Sequence, residues 1–289
     1  MQLPIKTPED WKKIRAVQPV TEEDLLKVDD TEFRARFRER CHHTMEIQIY
    51  EAIEKKRPLP MDTTDTADLY FRVWDKKGLS RELPDYRFAS RLLDMAHALQ
   101  RGELPDLSVH EPRWFTDEER RVVDRLIYER RSVRHWDWER PVPDVLLDKA
   151  MDAGLWGAHA CNLQSIRYLI LHEKECPGMF RGGDIPPGPV HIVVCQDMRV
   201  YEANKYMPDY NAIMDAGCAG QNILLQFHAL GLGACWVTFM TDAMRERLVE
   251  KFNLPDYITI DYYIDVGYPT QTPCPPYRIG VDEAVLGRI

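Results

Sequence analysis

The stretch "NAIMDAGCAGQNILLQFHALGLGACWVTFM" (residues 211–240) limits the fold more than any other part of the chain. Its apolar residues recur at helical spacing as far as Leu230, and "GLGACWVTFM" then reads as a glycine turn followed at once by a strand. Ala216, Gly217, Ala219 and Gly220 put small residues on the early turns of that helix, where another backbone can come close. Gly233 is the residue that permits a left-handed turn at the helix exit.

The surrounding elements agree. "TDEERRVVDRLIYERRSV" opens a helix at Thr116 with a Thr cap and Glu119 three residues on. After it come a helix at "PDVLLDKAMDAGLW" and strands at "SIRYLILH" and "PVHIVVCQD". The long helix and the strand "ACWVTFM" follow, then a helix at "DAMRERLVEKFN" and a strand at "YITIDYYIDVGYP". This is an α+β domain without internal repeats, expected over residues 116–289.

Residues 1–115 differ in character, being charged, helical in period and punctuated by proline. A helix is expected from Thr31 to Lys56, with Phe33, Phe37, Met45, Ile49 and Ile53 near one face, and another over "YRFASRLLDMAHALQRG". "KRPLPMDTTDTAD" and "ELPDLSVHEPRWF" read as ordered loops.

The net charge of -9 argues against nucleic acid as the main partner, since phosphate binding needs a concentrated basic surface. No apolar run reaches membrane-spanning length, and "MQLPIKTPEDWKKIRAV" lacks the apolar centre of a secretory signal. Seven cysteines without a CxxC spacing fit reduced thiols, so a cytoplasmic location is expected, with no membrane partner.

Among the candidate sites, "ERRSVRHW" gathers Arg130, Arg131, Ser132 and Arg134 at a helix end. Guanidiniums and a hydroxyl so placed can hold a phosphate, or can be a solvated basic helix end that favours the macrodipole. The turn "GLWGAHACNLQS" packs small and polar residues between a helix and a strand. Within it, His159 and Cys161 are either a base and thiol nucleophile or a buried thiol beside a hydrogen-bonded imidazole. Glu39, His42 and Glu46 lie near one helix face, but no second E-x-x-H exists to complete a di-iron carboxylate site, and no metal is expected. Neither a Rossmann glycine fingerprint nor a P-loop is present.

In order and spacing, these segments resemble the FMN-dependent nitroreductase superfamily from about Asp117 to Arg288. The resemblance implies a three-layer fold, with a mixed, mainly antiparallel sheet flanked by helices and a helical N-terminal extension. It assigns the FMN phosphate to Arg130, Arg131, Ser132 and Arg134 of "RRSVR", and to Arg278 of "YRIG"; Pro276 stands where some relatives carry a lysine. The signature W-A-P-S-x-x-N-x-Q-P-W appears as "WGAHACNLQSI". Ala158 and His159 replace the Pro-Ser pair, Ser165 and Ile166 replace the Pro-Trp pair, and Trp156, Asn162 and Gln164 match. By resemblance this loop contacts the flavin, so Ala158, Asn162 and Gln164 are expected there. His159 either bonds the flavin, approaches the substrate or fills space. Trp236, Val237 and Thr238 are expected along the flavin ring.

The implied activity is an oxidoreductase reaction with ping-pong kinetics. NAD(P)H reduces the flavin, which reduces a small electron-poor acceptor such as a nitroaromatic, quinone or activated alkene. The implied assembly is a homodimer with FMN at the interface. Two alternatives stay open: specialised flavin chemistry (dehydrogenation, reductive dehalogenation or oxygen-dependent work) marked by His159 and Cys161, and a flavin-binding interaction module without turnover. Residues 1–115 then wrap a partner subunit, cover the site or stand as an independent helical piece.

Overall fold

The computed structural model describes residues 21–183, 185–204, 207–208 and 210–289; the reading of "MQLPIKTPEDWKKIRAV" lies outside them. Four strands carry the second half: β1 (Ile166–His172), β2 (Val190–Asp197), β3 (Gly233–Val237) and β4 (Ile258–Gly267). They form one sheet in the order β1-β2-β4-β3. Every strand pair is antiparallel, and a parallel element enters only through the isolated bridge between Ser132 and Ala234. The chain is α+β, as its sequence implied.

The central strand β2 is buried along its whole length, which explains its near-continuous apolar run. Ile192 and Val194 point to the face covered by α7 (Asp144–Leu155) and α8 (Asn211–Ala229), where they meet Leu147, Ala219, Ile223 and Phe227. Val193 and Cys195 point to the other face, against Met244 and Leu248 of α9 (Asp242–Phe252). The small residues of α8 work as their size requires, since a Cβ on Gly220 would collide with Trp236 and Tyr262. At the helix exit, Gly231 (φ 76°) adopts the left-handed conformation. Gly233 instead starts β3, where Val133 packs so close that a Cβ would lie 2.8 Å from its side chain.

The first half has its own core. Helices α1 (Glu22–Lys27), α2 (Asp30–Arg40), α3 (Ile47–Glu54), α4 (Asp65–Lys76) and α5 (Pro84–Gln100) enclose Phe33, Phe37, Tyr70 and Trp74, with the rings of Phe33 and Phe37 within 6.4 Å of each other and of both other rings. The helix expected over Thr31–Lys56 is α2 and α3 joined by a π-helical segment, Cys41–Glu46. Its buried residues Phe33, Phe37, Cys41, Met45 and Ile49 recur every fourth position. On a regular α-helix that repeat rotates by about 40° per step, and the wider π turn restores alignment. One reading needs correction: "KRPLPMDTTDTAD" is not loop throughout. A 3-10 turn occupies Met61–Thr64 and α4 begins at Asp65, driven by the helical spacing of Ala67, Tyr70, Val73 and Trp74. α1 was not anticipated either. The remaining helices are α6 (Asp117–Glu129), which has the expected capping box at Thr116 and Glu119, and α10 (Val281–Ala284).

Under the sheet, His191 is fully buried with Nδ1 2.5 Å from Asp265 and Nε2 3.0 Å from Glu173. Burial opposes the imidazolium, but hydrogen bonds to Asp265 and Glu173 and their charges prevail, so its pKa is raised above the ordinary 6.5. That stabilisation is complete below pH 6.5 and is lost as pH rises through the higher native value. His191→Leu is expected to cost about 3–5 kcal/mol. Thermal unfolding of both proteins against pH should show a gap that narrows toward alkaline pH; a constant gap would assign the effect to packing alone.

Candidate functional site

The loop between α7 and β1 is held from three sides. Gly157 lies against the backbone of α8, where a Cβ would fall 2.9 Å from the Ala219 nitrogen. Asp215 of α8 accepts the Ala160 N–H at 2.9 Å and the Tyr201 hydroxyl at 2.7 Å. From the N-terminal bundle, buried Arg38 donates to the carbonyls of Asn162 (3.0 Å) and Leu163 (2.5 Å) while pairing with Asp85 at 2.7 Å. So restrained, the loop keeps Cys161 (φ 48°), Asn162 (φ 54°) and Gln164 (φ 58°) in the left-handed region. Such conformations cost about 1–3 kcal/mol each for non-glycine residues and cluster at functional sites.

His159 donates from Nδ1 to the Gly157 carbonyl at 2.5 Å, a contact that requires the proton on Nδ1. Its Nε2 is buried without a partner among the described residues. The imidazole beside Cys161 is not His159 but His43, whose Nε2 lies 2.9 Å from Sγ. Burial and the Glu39 carboxylate push the Cys161 thiol pKa upward, so it is held as a thiol rather than primed as a thiolate. Glu39 is itself buried, bonded to Arg40 and to Asn204 Nδ2, while His42 pairs with Glu46 at 2.7 Å. The E-x-x-H residues are thus committed to separate partners, and no group of three or more metal-ligating side chains occurs among the described residues.

The basic motif occupies a second place. Arg130 and Arg131 follow α6 and line a cavity of about 460 Å³ whose wall is the glycine turn from Gly231 to Ala234, closed by Gln271, Thr272 and Pro273. Burial lowers the Arg130 pKa, and the charges of Arg131 and Arg278 lower it further, so these three guanidiniums share one field. Burial also lowers the pKa of His228 on the same wall; Glu129 opposes that shift, and Arg130 and Arg131 reinforce it. Ser132 bridges to Ala234, the Val133 N–H bonds the Ala234 carbonyl at 3.1 Å, and the Arg134 N–H bonds Gln271 at 3.0 Å. Beyond the motif, Trp136 Nε1 donates to the Gly233 carbonyl at 2.9 Å.

The sequence-derived residues therefore fall into two groups. Arg130, Arg131, Ser132 and Arg134 gather at the start of β3, and the charge of Arg278 acts on Arg130. His159 and Gln164 line a different cavity, of about 540 Å³, with Met151, Ile166 and Tyr168, and Ala158 and Asn162 belong to its loop. On β3, Trp236 stacks on Tyr262 at 3.7 Å and Val237 is buried, whereas Thr238 lies exposed just past the strand. Sequence reasoning missed Arg38, His43, Asn204 and Asp215. Their sequence trace is no more than an isolated polar residue, and the loop residues they contact lie 43 to 125 residues away.

The model of the nitroreductase family matches residues 127–176 and 184–268. A protein of Methanothermobacter thermautotrophicus, provisionally named NADH dehydrogenase/NAD(P)H nitroreductase, is 30% identical over 157 residues, spanning 52% of this chain and 79% of the relative. A similarly named protein of Archaeoglobus fulgidus is 27% identical over 151 residues, 50% of this chain and 84% of its own. Among solved structures, a provisionally named nitroreductase from Desulfovibrio desulfuricans in complex with FMN superimposes with a TM-score of 0.50 at 26% identity, covering 58% of this chain and 96% of that one. The chain belongs to the nitroreductase family. The family match starts within α6, so the bundle that contributes Arg38 and His43 lies outside it.

Replacing Arg38 by methionine leaves two loop carbonyls without their donor and half of the Asp85 pairing undone. A loss of about 3–5 kcal/mol is expected in denaturant unfolding. Faster hydrogen exchange should accompany it in residues 159–164; unchanged exchange there would show that the loop holds its shape without the bundle.

Proposed function

We propose that this protein is an FMN-dependent oxidoreductase in which NAD(P)H is the reductant and a small electron-poor organic compound, a nitroaromatic, quinone or activated alkene, is the acceptor. The observation that carries the reading is the placing of Arg130 and Arg131 on the glycine-walled cavity after α6, with the charge of Arg278 acting on Arg130. Arg130 is disfavoured there by burial and by two like charges, so a phosphate dianion would relieve a cost the protein carries without it. Family membership and the FMN complex of the D. desulfuricans relative support the same cofactor.

When bound, FMN would supply the two-electron redox chemistry that links NAD(P)H to the acceptor. The protein's own part is placement. Arg130, Arg131, Ser132, Arg134 and Arg278 would hold the phosphate end, and Trp236, Val237 and Thr238 would serve the ring. The constrained loop offers Ala158, His159, Asn162 and Gln164 as polar contacts, with the Nε2 of His159 free to accept or, when protonated, donate a hydrogen bond.

Arg130 and Arg131 line one cavity and His159 and Gln164 another within one chain, which favours a homodimer whose partner brings the loop group to the phosphate group. Exposed apolar side chains support a second copy: Val122 and Ile127 on α6, Ile213 and Met214 on α8, and Tyr277 and Leu286 in the extended C-terminal segment. In this reading residues 116–289 form the flavin domain, and within residues 1–115 the described part, 21–115, is a helical module that buttresses its loop. No helix among the described residues is long and apolar enough to cross a membrane, and seven free cysteines suit the cytoplasm.

Purified protein should be yellow, and its flavin spectrum should bleach anaerobically with NADH or NADPH. Arg131→Ala is expected to weaken FMN binding about 10–100-fold, the loss of one charge-assisted contact. Full flavin retention in that variant would place the phosphate elsewhere, and a protein that cannot be loaded with FMN would end the reading.

A further inference from the structure

Between the N-terminal bundle and the loop lies a third cavity, of about 270 Å³, lined by Thr31, Arg34, Arg38, Gln164 and Arg167. Three of its five lining residues are arginines, and none is acidic. The nearby carboxylates are already engaged. Asp85 is buried and shared, pairing with Arg34 at 2.5 Å and Arg38 at 2.7 Å. Asp197 is held at both oxygens by Arg199 (3.0 and 2.6 Å), with Arg167 no nearer than 3.9 Å. Asp29 in turn pairs with Arg199 at 3.1 Å. Among the described residues, four guanidiniums thus face three carboxylates, and the excess positive charge borders the cavity.

Two further observations point inward. Burial lowers the Arg167 pKa; Asp197 opposes that shift, and the charges of Arg34 and Arg199 add to it, the pattern of cations gathered without enough counter-charge. Arg34 and Arg167 are also more exposed than Arg38, with side chains 35% and 44% accessible against 6%. Arg38 is therefore the structural clamp. Arg34 pairs with Asp85 through Nε and Nη2, and Arg167 donates from Nη1 to the Gln164 and Ile166 carbonyls, so the more exposed Arg34 Nη1 and Arg167 Nη2, the latter 3.9 Å from Asp197, are the groups left to meet a ligand.

The cavity does not stand alone. Gln164 and Arg167 also line the larger cavity that contains His159, Met151, Ile166 and Tyr168, so the two are compartments of one cleft. The larger compartment offers aromatic and aliphatic walls together with the carboxylates of Asp148 and Asp152; the smaller is cationic and sized for a single charged group.

We propose that Arg34, Arg167 and Thr31 form an oxyanion subsite that takes the carboxylate or phosphate group of a substrate whose reacting part lies in the larger compartment. The subsite rests on the flavin reading above and adds a substrate class to it: an organic anion. Its charge is supplied jointly by the N-terminal helix α2 and by β1, so the N-terminal bundle contributes to substrate selection as well as to loop support. The anionic group belongs either to the electron acceptor or to the phosphate-bearing end of the nicotinamide nucleotide.

Flavin-loaded wild type, Arg34→Gln and Arg167→Gln are compared with nitrobenzoate and nitrobenzene as acceptors, and with NADH and NADPH in the reductive half-reaction. Calorimetric titration of each protein with nitrobenzoate gives a readout independent of turnover, and thermal melts confirm that each variant is folded. An acceptor anion is indicated by about a 10-fold rise in KM and weaker calorimetric binding for nitrobenzoate in both variants, with nitrobenzene turnover unchanged. A similar loss confined to NADPH locates the group on the nucleotide. If all proteins bleach and turn over nitrobenzene, yet neither variant alters nitrobenzoate or NADPH, the subsite is overturned while the flavin reading stands. Protein that holds no flavin fails at the earlier step.

Discussion

The Arg38 guanidinium is the contact on which the site's geometry depends. It pairs with Asp85 inside the N-terminal bundle and donates to two carbonyls of the loop that precedes β1. A loop with three left-handed non-glycine residues does not keep that shape through local preference alone. Asp215 from α8 and the close approach of Gly157 to the same helix complete the restraint. The two halves of the chain are therefore coupled at the segment whose side chains line the cleft.

That coupling gives a physical role to residues outside the family match. The bundle has its own aromatic core, but its second helix spends three buried polar residues, Arg36, Arg38 and Glu39, on the junction. Arg36 reaches the Glu202 carbonyl and Glu39 reaches Asn204, while Ala35 packs with Leu163, Val200 and Ala203. A helix that buries charge in this way is shaped by its neighbour as much as by its own core. The π segment that follows places His43 against Cys161, another contact between the bundle and the loop.

Much of the fold was legible because it rests on short-range periodicity. β2 announced itself by a continuous apolar run, α8 by helical spacing with small residues, and α6 by its capping box. Legibility failed where propensity and packing pulled apart. The polar start of α4 masked a helix whose buried residues come later, and the turn at α8 was set by Gly231 because Gly233 is needed in the strand against Val133. In the candidate site, the arginine motif was readable since its members are consecutive. The His159–Cys161 pairing suggested by adjacency was replaced by a His43–Cys161 contact across 118 residues.

The sequence by itself determined the fold class, the element order and the family pattern, because these are written in periods of a few residues and in contiguous motifs. Only the tertiary structure decided which side chains meet. It put Arg130 and Arg131 on one cavity and His159 and Gln164 on another, gave the thiol its imidazole, and brought Arg34 and Arg38 of the bundle beside Arg167. Those meetings depend on how two independently cored halves dock, and docking is fixed by shape and charge across the junction rather than by any local sequence rule.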